Sequence, residues 1–258
     1  MSGTIELYAW ATPNSWKVAI ALEEMALPYV LRPVAIVKGE QFKPDFLELS
    51  PNNRIPAICD PDGPDGGPIS LFESGAILQY LGRKTNRFYP TDERSRAEVD
   101  QWLFWQMAGV GPMYGQATHF LVYAPAMVND PREIEYGARR YSNEVNRLLG
   151  VLERRLDGRA FIAGDYSIAD MASYPWVSLS SMLGQELGVF PNVAAWLERM
   201  QQRPAVKRGM AATEGLGGPP PIKGTEEHRV FSQSLFGQTA AQVAALAEAH
   251  AAARQEGA

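Results

Sequence analysis

The sequence predicts an α+β protein, with a βαβαββα unit over residues 1–86, an all-helical domain over 94–210 and a C-terminal extension over 211–258. Three observations carry this. Short apolar runs separated by Gly, Pro, Asn and Asp fill the first 85 or so residues. Strand signals stop after Thr85, and long patterns of helical period follow. A stretch rich in Gly and Pro at 215–221 then sets off the tail as a linker.

In chain order, Ile5–Trp10 reads as a short buried strand. Thr12 and Pro13 follow as an N-cap with proline at the first helical position. Val18, Ala21, Leu22 and Met25 recur at helical spacing and predict a helix with one buried face. Tyr29–Ile36 is a second strand, placed near a sheet edge by Pro33. Pro44–Leu49 is a short helix, and Ala57–Asp60 with Ile69–Phe72 form a hairpin around a Gly-, Pro- and Asp-rich turn. Ser74–Lys84 closes the unit as a helix, and this order of elements is that of a thioredoxin-like domain. Beyond it, Arg94–Val110, Pro131–Leu156, Ile168–Leu183 and Pro191–Arg203 read as helices. Ser167 and Asp170 have the spacing of a capping box. The tail carries Val230, Phe231, Leu235 and Phe236 and then an alanine-rich helical run; these apolar residues are expected either to dock over an active-site mouth or to staple a dimer.

Composition narrows the function classes. The chain is 46% hydrophobic and 21% charged. Its formal net charge of −5 argues against a nucleic-acid partner. No apolar run approaches the length of a membrane span, and the N-terminal residues lack the character of a signal peptide, so a cytoplasmic location is expected. Cys59 is the single cysteine, which excludes an intrachain disulfide and reads as a small core residue. His119, His228 and His250 have no metal-ligand spacing, so no metal is expected. Trp102, Phe104 and Trp105 read as core and dimer interface, giving an expected homodimer.

The stretch Asn52-Asn53-Arg54-Ile55-Pro56 points most directly to chemistry. Pro56 belongs at a strand start, and a cis Ile55–Pro56 bond turns the N–H and C=O of Ile55 outward, free to pair with an extended peptide. Glu73-Ser74 opens a helix whose N–H groups suit a carboxylate. Together they suggest a site for a short acidic peptide such as glutathione.

With R-I-P-A-I, F-E-S-G-A-I and, further on, Y-S-I-A-D, the chain resembles the cytosolic glutathione transferases over about residues 5–210. Thr12-Pro13-Asn14, Ser50 to Pro56, Gln101 to Gln106 and Gly111-Pro112-Met113 narrow the resemblance to the bacterial nu class of glutathione-dependent disulfide reductases, relatives of the yeast nitrogen-regulatory prion protein. The resemblance implies that Ile55, beside Pro56, pairs its backbone with the cysteinyl part of glutathione. It implies that Glu73 meets the γ-glutamyl ammonium and Ser74 its carboxylate, with Gln41 and Arg54 near the glycyl carboxylate. Thr12 and Asn14 are implied to face the sulfur, where other transferase classes place Tyr, Ser or Cys, so that Tyr8 and Ser15 stand as alternatives; Arg140 is implied to reach toward a second glutathione. Tyr114 and His119, after the Gly111-Pro112 break, are expected to line the second-substrate pocket.

Such chemistry needs a thiolate, and a thiol of pKa about 8.5 is only a few per cent ionised at neutral pH. Lowering that pKa by two units takes about 2.7 kcal/mol, within reach of two charge-assisted hydrogen bonds and a helix dipole. Since no cysteine stands at the helix start, any disulfide exchange uses glutathione thiols for both attack and resolution. The implied activity is reduction of disulfides with glutathione as co-substrate. The alternatives are conjugation or ether and thioether cleavage of aromatic electrophiles, and a non-catalytic regulatory protein on the same fold.

Overall fold

The computed structural model describes residues 3–217 and 224–256, with side chains described to residue 249. Along the chain run β1 (Ile5–Ala9), α1 (Pro13–Glu24), β2 (Tyr29–Pro33), α2 (Pro44–Leu49), β3 (Ala57–Asp60), β4 (Ile69–Phe72) and α3 (Ser74–Thr85). Then come α4 (Glu93–Trp105), α5 (Gly111–Thr118), α6 (Arg132–Leu156), α7 (Ile168–Val177), α8 (Pro191–Gln202), α9 (Pro204–Ala211), α10 (Glu226–Phe236) and α11 (Ala240–Glu256). The expected fold class is the observed one: the βαβαββα order, a four-stranded mixed sheet and a helical remainder. The chain divides into two compact units, one of Met1–Ser15, Pro28–Glu73 and Thr213–Ala258, the other of Trp16–Leu27 and Ser74–Ala212. The expected linker falls partly outside the described residues, at positions 218–221.

The first unit holds the sheet, in the order β2-β1-β3-β4. Strand β1 alternates, with Ile5, Leu7 and Ala9 buried and Glu6 and Tyr8 partly exposed, as a half-covered strand should. It runs parallel to β2 and antiparallel to β3, with Leu7 opposite Leu31 and Ile58. Pro33 ends β2 at the sheet edge, where a missing N–H costs no ladder bond. The β3–β4 hairpin pairs Ala57 with Phe72 and Asp60 with Ile69. In its turn Gly63 donates to the Gly67 carbonyl at 2.9 Å, and a Cβ on Gly63 would lie 2.6 Å from that oxygen. Cys59 is half-buried rather than a full core residue, because it lies opposite Glu6 and Ser70 on the less covered face. Helix α10 begins at a Thr225 N-cap that accepts from the His228 N–H at 3.1 Å, and it packs on the turn Ile36–Lys38.

In the helical unit, α1 departs from the expected single buried face. Val18, Ala19, Ile20, Ala21 and Leu22 are all 0% exposed, so this segment is covered on every side. Helix α6 shows the ordinary stripe instead, burying Val145, Leu148, Leu149, Leu152 and Leu156. Helix α7 ends at Val177, short of the expected Leu183. The hydroxyls of Ser178 and Ser180 donate to the carbonyls of Pro175 and Val177, at 3.0 and 2.6 Å, and the turns beyond close at Gly184 with φ of 76°. The capping box is formed, with Ser167 Oγ accepting from the Ala169 N–H and Asp170 accepting from the Ser167 N–H. The other carboxylate oxygen of Asp170 accepts from Trp196 Nε1 and from the Ile162 N–H, both at 2.9 Å, which ties α8 to the start of α7.

Candidate active site

In the sheet unit the segment before β3 is held by its own backbone. Ser50 Oγ donates to the Arg54 carbonyl at 2.8 Å, and the Asn53 N–H donates to the Ser50 carbonyl at 2.8 Å. Asn53 takes φ of 48°, a left-handed conformation that asparagine tolerates. The Ile55–Pro56 bond is cis. The Ile55 side chain packs with Tyr8 and Ile36 against Val34, Phe46 and Ala57. Among the described residues its N–H and C=O make no hydrogen bond, so an anchored side chain presents an open donor and acceptor.

At the end of β4, Glu73 is exposed and held at φ of 69°, a conformation costly for a residue with a Cβ. Asn52 Nδ2 donates to its carboxylate at 3.4 Å. Arg54 is exposed. Gln41 is 2% exposed, and its Nε2 donates to the Ser234 carbonyl of α10 at 3.1 Å. The tail thus occupies a donor expected to face the glycyl end of glutathione. Asn53 is likewise engaged, donating to Gln238 Oε1 at 3.2 Å.

The start of α1 carries Thr12 and Asn14, both half-buried. Thr12 Oγ1 accepts from the Ser15 N–H at 3.4 Å and lies 3.1 Å from Ser15 Oγ. Ser15, which is fully buried, also accepts from the Trp10 N–H at 3.4 Å. Thr12 is therefore a helix cap whose hydroxyl is kept in place by a second hydroxyl. Tyr8 does not serve the helix start, because its phenol donates to Glu6 Oε2 at 2.9 Å, and burial pushes its pKa up.

In the helical unit Ser74 is the first residue of α3 and 4% exposed. Lys17 Nζ donates to its hydroxyl at 3.4 Å, to Gln106 Oε1 at 2.7 Å and to Met107 Sδ at 3.5 Å. Lys17 is 1% exposed and Gln106 is fully buried. Sequence reasoning missed both; the one available signal was a lysine set at the head of the apolar run Val18–Leu22.

The three second-substrate candidates do not share one environment. Arg140 is exposed on α6 beside a cavity of about 560 Å³ that Arg139, Arg147, Tyr136 and Met113 also line. Arg139 and Arg147 pair with Glu135 and Glu144, while Arg140 makes no hydrogen bond or ion pair among the described residues. His119 is half-buried edge-on to Phe120, and burial lowers its pKa, favouring the neutral ring. Tyr114 corrects its expectation: it is 1% exposed, its phenol lies 2.9 Å from Ser180 Oγ, and it fills the core rather than a pocket wall. Helical period alone did not say which face of α5 turns inward. Among the described residues no group of three His, Cys, Asp or Glu could hold a metal.

Residues 11–84 match the family model described as glutathione S-transferase, N-terminal domain, and residues 116–204 match that of the C-terminal domain. The chain is 47% identical over 208 residues to the disulfide-bond oxidoreductase YfcG of Escherichia coli K12, covering 80% of this chain and 94% of that one. It is similar to a glutathione transferase of Burkholderia graminis solved with two glutathione molecules per subunit (TM-score 0.76, 45% identity, covering 82% of this chain and 89% of that one). A glutathione transferase of Pseudomonas putida solved with one glutathione disulfide per subunit is similar as well (TM-score 0.74, 43% identity, covering 80% and 90%).

Proposed function

This chain belongs to the glutathione S-transferase family, and from that premise we propose that it is an enzyme that reduces disulfides with glutathione. The observation that carries this reading is the open N–H and C=O of Ile55, followed in the chain by Glu73 and Ser74, with a hydroxyl and an amide rather than a thiol at the start of α1. The names of the relatives support it: one is called a disulfide-bond oxidoreductase, and others were solved with two glutathiones or with the disulfide.

The Ile55 backbone pairs with the cysteinyl part of glutathione, Glu73 takes the γ-glutamyl ammonium and Ser74 its carboxylate. Arg54 serves the glycyl end, and Gln41 joins it when its amide is released from the Ser234 carbonyl. Thr12 and Asn14 hydrogen-bond the sulfur, and the positive end of α1 adds to their effect on its pKa. The thiolate attacks one sulfur of the substrate disulfide; a mixed disulfide forms and the other sulfur leaves as a thiolate that takes up a proton. A second glutathione thiolate then attacks the glutathione sulfur of the mixed disulfide. Glutathione disulfide and a second substrate thiol result, so two glutathiones are consumed per disulfide reduced. Arg140, beside its cavity, attracts the second anion.

The test replaces both sulfur partners, as Thr12→Ala with Asn14→Ala. Loss of two charge-assisted bonds is expected to lower reductase turnover roughly 100-fold while glutathione still binds. Unchanged turnover would remove the sulfur assignment. Absence of glutathione binding by the wild-type protein in calorimetry would leave only a non-catalytic role.

A second reading, turnover of aromatic electrophiles, draws on the half-buried Phe120 stacked on Tyr141 at 5.4 Å. Comparing a dialkyl disulfide with an aryl halide and a β-aryl ether decides between them. The proposal includes a homodimer, for which the 62% exposed Phe104 of α4 is the anchor; light scattering on Phe104→Glu checks it by loss of the dimer mass. No helix among the described residues is long and apolar enough to cross a membrane. Consumption of glutathione thiols suits a reducing compartment, and cytoplasmic placement completes the reading; fractionation that finds the protein elsewhere would refute that placement.

A further inference from the structure

We propose that Lys17 is a positioning residue for the γ-glutamyl carboxylate of glutathione, acting through the hydroxyl of Ser74; this rests on the assignment of Ser74 given above. Lys17 is 1% exposed, and an ammonium is among the groups least often buried. Three contacts aim it. Gln106 Oε1 accepts from Nζ at 2.7 Å, Met107 Sδ lies at 3.5 Å and Ser74 Oγ at 3.4 Å. These acceptors fix the direction of Nζ.

The surrounding backbone is arranged around this contact. Gln106 opens a π-helical turn, Gln106–Val110, a helix irregularity often found at functional positions. Gly75, beside Ser74, closes on Met107: a Cβ there would lie 3.1 Å from Met107 Cγ. The first turn of α3 thus sits directly against the residues that hold Nζ.

The hydrogen-bond arithmetic gives Lys17 its task. A serine hydroxyl has one proton and two lone pairs. Donation from Nζ takes a lone pair of Ser74 Oγ and leaves its proton to donate, which it does toward Met107 Sδ at 3.6 Å. Sulfur is a weak acceptor, and an arriving carboxylate replaces it with a charge-assisted bond. Donation from Nζ therefore polarises the hydroxyl toward giving its own proton.

The test is calorimetry on the full chain with two ligands: glutathione, and the analogue 4-aminobutanoyl-cysteinylglycine, which keeps the amine and lacks the α-carboxylate. Lys17→Met is expected to weaken glutathione binding roughly 30-fold and analogue binding by less than about 2-fold. At saturating glutathione, kcat is expected within about 2-fold of wild type, so the loss falls on KM. Equal losses for both ligands, or no loss for glutathione, overturn the role of Lys17 alone. Failure of the wild type to bind glutathione overturns the proposed function with it. If Lys17→Met does not fold, Gln106→Leu releases the ammonium instead, and the same selective loss for glutathione is expected; a loss shared by both ligands refutes the role there too.

Discussion

Gln41 and Ser234, 193 residues apart in sequence, are joined by a buried hydrogen bond from the Gln41 amide to the Ser234 carbonyl. Gln238 Nε2 donates to the same oxygen at 2.5 Å, and Asn53 reaches Gln238 Oε1. The tail is thereby fastened to Gln41, expected to serve the glycyl end of glutathione, and to Asn53, the neighbour of Arg54.

Deleting residues 224–258 is expected to act in two opposite ways. Phe231, 7% exposed, goes with the deleted segment, and the burial of such a ring is worth about 1.5–3 kcal/mol, so the melting temperature should fall by several degrees. The released Gln41 amide can then donate to the glycyl carboxylate, and the KM for glutathione should drop a few-fold. Calorimetric melting and steady-state kinetics check both; a KM that does not fall would detach Gln41 from the glutathione site.

Asp170 gives a pH signature. Burial raises its pKa to about 6, against the opposing pull of hydrogen bonds from the Ile162 N–H, Trp196 Nε1 and Ser167. Its ordinary value is 3.8, so between about pH 4 and pH 6 the unfolded chain has lost this proton while the folded chain keeps it. The contribution to stability is complete below the unfolded value and declines as pH rises through the folded one, by roughly 3 kcal/mol for a shift of this size. Asp170→Asn removes the titration. The stability difference, wild type minus variant, should therefore fall between pH 4.5 and pH 7 in urea melts; a constant difference would show that Asp170 is ionised throughout.

Local chemistry was legible in the sequence and distant packing was not. The β3–β4 hairpin and the Ser167–Asp170 box came out as expected because each rests on neighbours a few residues apart. Tyr114 was misplaced because its partner Ser180 lies 66 residues away, and period alone cannot orient a helix. Lys17 went unseen because charge is ordinarily read as exposure, while Gln106 and Met107, 89 and 90 residues downstream, bury it. Glu73 is a candidate by type alone, and nothing in a glutamate announces a left-handed backbone.

At Gly209, helix propensity and packing compete. Alanine in place of glycine inside α9 should gain about 1 kcal/mol of propensity. A Cβ there, however, would lie 2.5 Å from Ile20 Cα and 2.6 Å from Ile20 N, backbone atoms that cannot rotate aside. Overpacking of a tight contact costs about 1–3 kcal/mol and more where backbone must move. Gly209→Ala is expected to lose about 2 kcal/mol net in urea unfolding; a gain would mean that α9 shifts freely on α1.

Glu73 should separate stability from function in a single position. Its φ of 69° costs a non-glycine residue roughly 1 kcal/mol or more, and glycine adopts that conformation without penalty. Glu73→Gly also gives the unfolded chain more freedom, about 0.4–1 kcal/mol in the opposite sense, so stability should be unchanged or slightly raised. The carboxylate proposed to take the γ-glutamyl ammonium is lost at the same time, and glutathione affinity should fall roughly 10–100-fold. Glu73→Gln keeps the backbone cost and an acceptor oxygen while losing the charge, so its affinity should lie between the two without any rise in melting temperature. Thermal melts and calorimetry on both variants decide the matter: weakened binding with undiminished stability places the strain in service of the ligand, whereas full affinity in Glu73→Gly would show that the ammonium is held elsewhere.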